Sequence, residues 1–252
     1  MDLVSILLLL VGGILCGVIN VVGGGGSLFA LPILLALGLP AQVANGTNRV
    51  AILFQDISSL VFFKKKRQLD IQEGWRLAIP TILGAVLGTW VASVYLTEMI
   101  MNISILVLIV FMITVLFFQP DKWTKKKNES LNYKLNFIDI LVFFIIGFYG
   151  GFIQAGFTYL ILAVLVLKVG NSMVKSDALK LFLNFLILPI ALLIFAWHQQ
   201  IDWLYGLVMG TGSALGGYWG VRFVTSWSPK LIRSILLILL ILSALYIIFI
   251  RM

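Results

Sequence analysis

The chain has 252 residues, 61% of them hydrophobic and 11% charged, with a mean hydropathy of +1.10 and a net charge of +8. A soluble domain carries roughly 25% charged residues, so this composition excludes a water-soluble fold and leaves no room for a separate soluble domain. The positive charge does not point to nucleic acid, because the lysines and arginines sit in short loops between apolar runs, where they orient helices in a bilayer.

Ten apolar segments are predicted along the chain, at about 3–22, 27–39, 43–63, 75–96, 99–118, 137–154, 157–167, 176–197, 203–221 and 231–250. The first lacks a basic start and a cleavage site, and is read as mature protein. Gly23-Gly24-Gly25-Gly26-Ser27 separates it from the second. Glycines allow a break in the helical ladder, and Ser27 is placed to N-cap the helix that follows. The second and seventh segments are short, at about 11–13 residues or under 20 Å of helix. Such segments cannot cross a core of roughly 30 Å unless flanking backbone also lies at membrane depth.

The third segment carries polar residues at helical spacing. Asn45, Asn48, Arg49, Asp56 and Ser59 share one face, and Arg49 and Asp56 differ by only about 20° around the axis. The eighth segment repeats the plan with Asp177, Lys180 and Asn184. A charged side chain at the centre of a membrane helix costs roughly 2.5–3.5 kcal/mol, so these faces are expected to line a cavity. The competing reading is a buried structural ion pair, such as Arg49 with Asp56. At the second break, Gln154-Ala155-Gly156-Phe157-Thr158 makes Thr158 the polar counterpart of Ser27. A helix N-terminus with Gly25, Gly26 and Ser27, beside Arg49 and Lys180, suits an anion.

Other residues have plainer readings. His198 and the tryptophans Trp75, Trp197, Trp203 and Trp227 fall at segment ends, as interfacial anchors do. Pro32, Pro80 and Pro189 are expected to kink helices, and Asp70 and Asp202 to cap them. A single cysteine, Cys16, and a single histidine leave no disulfide, no metal cluster and no catalytic constellation to expect. No cofactor is expected.

Basic residues orient the segments. Lys64–Arg67, Arg76, the linker cations from Lys122 to Lys134, Lys168, Lys175, Arg222, Lys230 and Arg233 all fall on one side of a ten-segment arrangement. That side should be cytoplasmic. An eight-segment alternative with both short pieces re-entrant would put the last basic loop outside. The halves also resemble one another at an offset near 131 residues: Gly17 and Gly26 match Gly147 and Gly156, and Arg49 matches Lys180. Gln68-Leu69-Asp70 matches Gln200-Ile201-Asp202, and Gly84 and Gly88 match Gly216 and Gly220. Five segments per half invert the second half relative to the first, a recurrent transporter plan. The expected organisation is a first transmembrane repeat at 1–118, a basic cytoplasmic linker at 119–136 and a second repeat at 137–252.

The run Gly23–Ser27, Leu31-Pro32 and Gly46-Thr47-Asn48-Arg49, followed by Gly147–Phe152, Lys180 with Asn184 and Ile201-Asp202-Trp203, resembles the sulfite exporter TauE/SafE family over roughly residues 10–235. The resemblance implies a multi-pass permease of a bacterial inner membrane that exports sulfite, sulfoacetate or related anions. Where relatives carry more glycine at the second break, this chain has Gln154 and Phe157, which implies a tighter half-site.

The expected fold is an all-α integral membrane protein of two inverted repeats with short broken helices. Its expected partners are a small anionic substrate and the lipid bilayer, with homo-oligomerisation left open. Arg49 and Lys180 would supply positive charge, with Gly25, Gly26, Ser27, Asn45, Thr47, Asn48, Thr158 and Asn184 supplying hydrogen bonds. Asp56 and Asp177 are the candidates for coupling to a proton or cation. Rival readings are a cation-coupled carrier of another solute and a membrane-embedded enzyme or assembly factor.

Overall fold

The computed structural model describes residues 1–23, 25–65, 71–118, 135–171 and 173–226, with scattered positions between 234 and 249. The expected tenth segment lies largely outside the described residues, as do Gly24, most of the 119–136 linker, Gln68–Asp70, Trp227, Lys230 and Arg233. The described residues form helices and no strands. In chain order these are α1 (Leu3–Gly23), α2 (Ser27–Ala36), α3 (Ala41–Lys65), α4 (Ile71–Tyr95), α5 (Glu98–Phe118), α6 (Phe137–Phe152), α7 (Phe157–Val164), α8 (Met173–Trp197) and α9 (Trp203–Ser226). A π-helical turn, Leu165–Val169, extends α7.

Among the described residues three helices are long and apolar enough to cross a membrane, over Leu3–Val21, Gln72–Tyr95 and Lys175–Trp197. By contrast α2 has 10 residues and α7 has 8, or about 15 Å and 12 Å of rise. Each is a half-length helix ended by a left-handed glycine. Gly38 (φ 89°) closes α2 and Gly170 (φ 85°) closes the π turn, a conformation that a Cβ penalises. The Leu39 N–H returns to Leu34 O, and the Asn171 N–H to Leu165 O.

α1 packs along α9 and α4 along α6, while α3 lies against α8 and α9 and α8 lies against α4. The two long seams are built on glycines four residues apart. A Cβ on Gly13 or Gly17 of α1 would collide with the Met209 or Ser213 carbonyl of α9, and one on Gly212 or Gly216 with Leu10 or Ile14 O. In the other seam Gly84 and Gly88 face the Phe144 and Phe148 carbonyls, and Gly147 and Gly151 face Thr81 and Ala85 O. In lipid no hydrophobic force draws helices together, so close backbone approach through small residues supplies the packing energy.

Burial is inverted relative to a soluble protein. Arg49, Asp56, Asp177 and Lys180 are wholly buried. Leu83, Leu87 and Trp90 on α4, Val4, Val11 and Leu15 on α1, and Ile138 and Ile145 on α6 form the exposed faces. Apolar side chains outside and charges inside are what a hydrocarbon solvent selects. Trp75, Trp197 and Trp203 are exposed at helix ends, as the anchor reading expects. His198 follows the end of α8, where its Nδ1 lies 2.9 Å from Ile194 O.

Candidate functional site

The polar residues singled out on α3 and α8 come together in the interior. Each of the two buried cations meets the end of a helix that stops inside the protein. Arg49 donates to Gly151 O in the last turn of α6, and Asn45, one turn earlier on α3, donates to Phe152 O at 2.8 Å. On the other side Lys180 donates to Val21 O in the last turn of α1, at 3.1 Å. The last carbonyls of a helix have no intrahelical partner and carry partial negative charge, so both cations hold the ends of interrupted helices.

Arg49 and Asp56 do not form the direct ion pair that their spacing on α3 allows. Arg49 Nη1 donates to Gln154 Oε1 at 3.1 Å, Gln154 Nε2 to Asn184 Oδ1 at 2.6 Å, and Asn184 Nδ2 to Asp56 Oδ2 at 2.7 Å. Within this interior cluster the carboxylate that pairs directly with a cation is Asp177, with Lys180 at 2.6 Å, three residues along α8. A second chain reaches the other Asp56 oxygen. Thr158 Oγ1 donates to Asn20 Oδ1 at 3.1 Å, Asn20 Nδ2 to Gln55 Oε1 at 2.6 Å, and Gln55 Nε2 to Asp56 Oδ1 at 3.1 Å.

Ser27 does not N-cap α2. Gly26 occupies that position with helical angles (φ −56°, ψ −38°) and no side chain caps the helix. Ser27 is the first helical residue and is buried. The break is tight because a Cβ on Gly26 would strike Cys16 O and Asn20 Cβ. The N–H groups of Leu28, Phe29 and Ala30 already bond to Gly25 or Gly26 O, so much of this helix start is engaged within the chain. Gly25 is buried beside it.

Thr47 lies away from the relays. Its Oγ1 accepts from the Asp202 N–H at 2.9 Å, and a Cβ on Gly46 would strike Gln200 O. The Gly-Thr pair therefore seats the 198–202 loop on α3. Asp202 itself caps α9, accepting from the Tyr205 N–H at 3.0 Å.

Asn48 is different from its neighbours. It is 1% exposed, yet neither Nδ2 nor Oδ1 has a partner among the described residues. One helical turn away Asn45 Oδ1 is unpartnered, and so is Arg49 Nε, whose guanidinium carbon lies 4.9 Å from the Phe195 ring centre. On α8, Asp177 Oδ2 and Ser176 Oγ are also buried without a partner. Leaving such groups unsatisfied costs about 1–3 kcal/mol each. Among the described residues no cluster of His, Cys, Asp or Glu has the makings of a metal site.

Three participants lie beyond the predicted site residues. Gln55 sits at the edge of the α3 stripe, about 20° around the axis from Asn48 seven residues earlier. Asn20 is the lone amide in α1, and Gln154 lies in the second break. An isolated amide in an apolar run is the signal that identifies such residues.

The profile of the family described as Sulfite exporter TauE/SafE matches residues 9–247. A protein of Haemophilus influenzae described as a probable membrane transporter protein is 29% identical over 241 residues, covering 94% of this chain and 91% of that one. The Escherichia coli K12 probable membrane transporter protein YfcA is 28% identical over 225 residues, 89% of this chain and 82% of that one. The Bacillus subtilis probable membrane transporter protein YunE is 22% identical, covering 94% and 95% respectively. No solved structure is a significant match.

Proposed function

From the premise that the chain belongs to the sulfite exporter TauE/SafE family and is a multi-pass membrane transporter, we propose that it carries a small oxyanion, sulfite or an organosulfonate, out of a bacterial cell across the inner membrane. The observation that carries this reading is the pair of buried unpartnered donors on α3, Arg49 Nε and Asn48 Nδ2. A protein retains such costly groups where a ligand completes them. Lys180 adds a second positive charge, and Phe195 forms part of the wall around Arg49.

The inverted-repeat reading is supported by the packing. Exchanging α1 with α6, α2 with α7, α3 with α8 and α4 with α9 turns the α1–α9 seam into the α6–α4 seam and the α3–α9 contact into the α8–α4 contact. The same exchange relates Arg49 on Gly151 O to Lys180 on Val21 O. Rocking of two such halves about a central site is the mechanism the arrangement favours. Each half would carry one of the two cations past the anion.

The test is binding to purified protein across sulfite, thiosulfate, sulfoacetate, sulfate and small carboxylates, for the wild type and Asn48→Leu. The Asn48 side chain bonds to nothing among the described residues, so its loss should spare the fold and weaken oxyanion binding at least tenfold. Wild-type affinity in Asn48→Leu for an anion that binds would remove this site from consideration.

A further inference from the structure

We propose that Asp56 is the site of a coupling proton, taken up on Oδ1 together with the anion. The proposal rests on the anion site described above and adds the ion that travels with it. Its first support is the sense of the two hydrogen-bond chains that end on Asp56. A guanidinium only donates, so Arg49 dictates the orientation of Gln154, and Gln154 that of Asn184, which must present its N–H to Asp56 Oδ2. A proton on Oδ2 would meet that donor. Turning both amides to accommodate it would leave Arg49 Nη1 facing the amide nitrogen of Gln154. That branch resists protonation.

The branch to Oδ1 is different, because it includes a hydroxyl. Thr158 now donates to Asn20, Asn20 to Gln55 and Gln55 to Asp56 Oδ1. With a proton on Oδ1, Asp56 donates to Gln55 Oε1, Gln55 turns its N–H to Asn20 Oδ1, and Asn20 turns its N–H to Thr158. A hydroxyl accepts as readily as it donates, so each of these three hydrogen bonds has a reversed counterpart. Both protonation states of Asp56 are thus fully hydrogen-bonded, as a reversible proton site requires. One proton comes from water, and no bond between heavy atoms changes.

Charge supplies the coupling. The ionisable groups of this central cluster, Arg49, Lys180, Asp56 and Asp177, sum to zero when all are ionised, and the other buried carboxylate, Asp139, pairs with Lys168. Lys180 from α8, itself paired with Asp177, faces Asp56, and Arg49 from α3 is linked to it through Gln154 and Asn184. α1 presents only the Asn20 amide to it, through Gln55. Protonating Asp56 leaves one excess positive charge in a low-dielectric interior, and a monoanion beside Arg49 cancels it. Each ligand therefore favours the other. The pair crosses without net charge, in the direction set by the summed proton and anion gradients.

The experiment uses the purified full chain and methanesulfonate, an anion whose charge stays fixed across the pH range, beside sulfite. Calorimetry in buffers of differing ionisation enthalpy counts protons, and an infrared pH titration without anion follows the carbonyl band of a protonated carboxyl. The wild type should take up close to one proton per anion, with affinity rising about tenfold per pH unit lost above the Asp56 midpoint. Asp56→Asn keeps every hydrogen bond of the protonated form, so it should fold, bind the anion with no proton uptake and little pH dependence, and lack the carboxyl band. Undiminished proton uptake or an unchanged band in Asp56→Asn would overturn the assignment. Binding of neither anion by the wild type would instead overturn the anion reading and the coupling with it, and the infrared titration would still decide the proton site.

Discussion

Asn48 and Thr47 are neighbours on α3 with opposite tasks, and substitutions of similar shape separate them. Thr47 Oγ1 is the partner of the Asp202 N–H. Thr47→Val should therefore leave a partly buried donor unpaired and lower stability by about 1 kcal/mol, read as an earlier thermal unfolding transition in detergent. Asn48 has no partner to lose, so Asn48→Leu should leave that transition unchanged or raise it while anion binding falls. The sign difference is the diagnostic, since a destabilised Asn48→Leu would mean the amide supports the fold. Arg49→Lys belongs at the same scale. A lysine keeps the charge but cannot hold Gly151 O and Gln154 together as a planar guanidinium does. It should fold less stably than the wild type and bind anion at least tenfold more weakly in the same assays.

Among the elements, the paired glycine seams make the sharpest claim. A side chain at Gly84 or Gly216 would enter the backbone of the facing helix, against Phe144 O or Ile14 O. Nothing flexible there can give way. Gly84→Val and Gly216→Val should each reduce folded yield severely, measured as the monodisperse fraction after purification. Gly38 is the control, because a Cβ there meets nothing within 4 Å and only the left-handed backbone (φ 89°) opposes it. Gly38→Ala should cost about 1 kcal/mol. At one end of the assembly, ion pairs also join neighbouring elements. Lys175 pairs with Glu73 at 2.6 Å, and Lys168 pairs with Asp139. Both lysines belong to the set read as orienting charges, and each also has a partner from a neighbouring helix.

For the whole molecule, the inverted arrangement requires the linker after α5 and the loop between α8 and α9 to lie on opposite sides of the membrane. Cys16 is buried, and Cys16→Ser gives a background for single cysteines. Lys126→Cys should resist a membrane-impermeant thiol reagent on intact cells and react after lysis, whereas Gln199→Cys should react on intact cells. The reverse pattern would turn the molecule over, and equal labelling of both would place the two positions on one side and end the inverted-repeat reading.

Helix positions were legible from residue order because hydropathy and glycine breaks act over a turn or two of chain. The predicted segments at 99–118, 137–154 and 203–221 meet α5, α6 and α9 to within a few residues. The polar face of α3 was legible for the same reason: a period of 3.6 puts Asn45, Asn48, Arg49 and Asp56 on one side of a helix wherever that helix sits. Their partners were not legible. Arg49 reaches Gln154 across 105 residues of sequence and Thr158 reaches Asn20 across 138, distances over which no periodicity carries information. The sequence by itself determined a membrane protein of interrupted helices with charges inside. Only the tertiary structure decided that Arg49 is linked to Asp56 through two amides, that Ser27 is not a cap and that Asn48 is left unpaired. Hydrogen bonds are directional and satisfied by whichever group the packing brings within about 3 Å, and in this protein the packing is set by glycine seams between helices far apart in the chain.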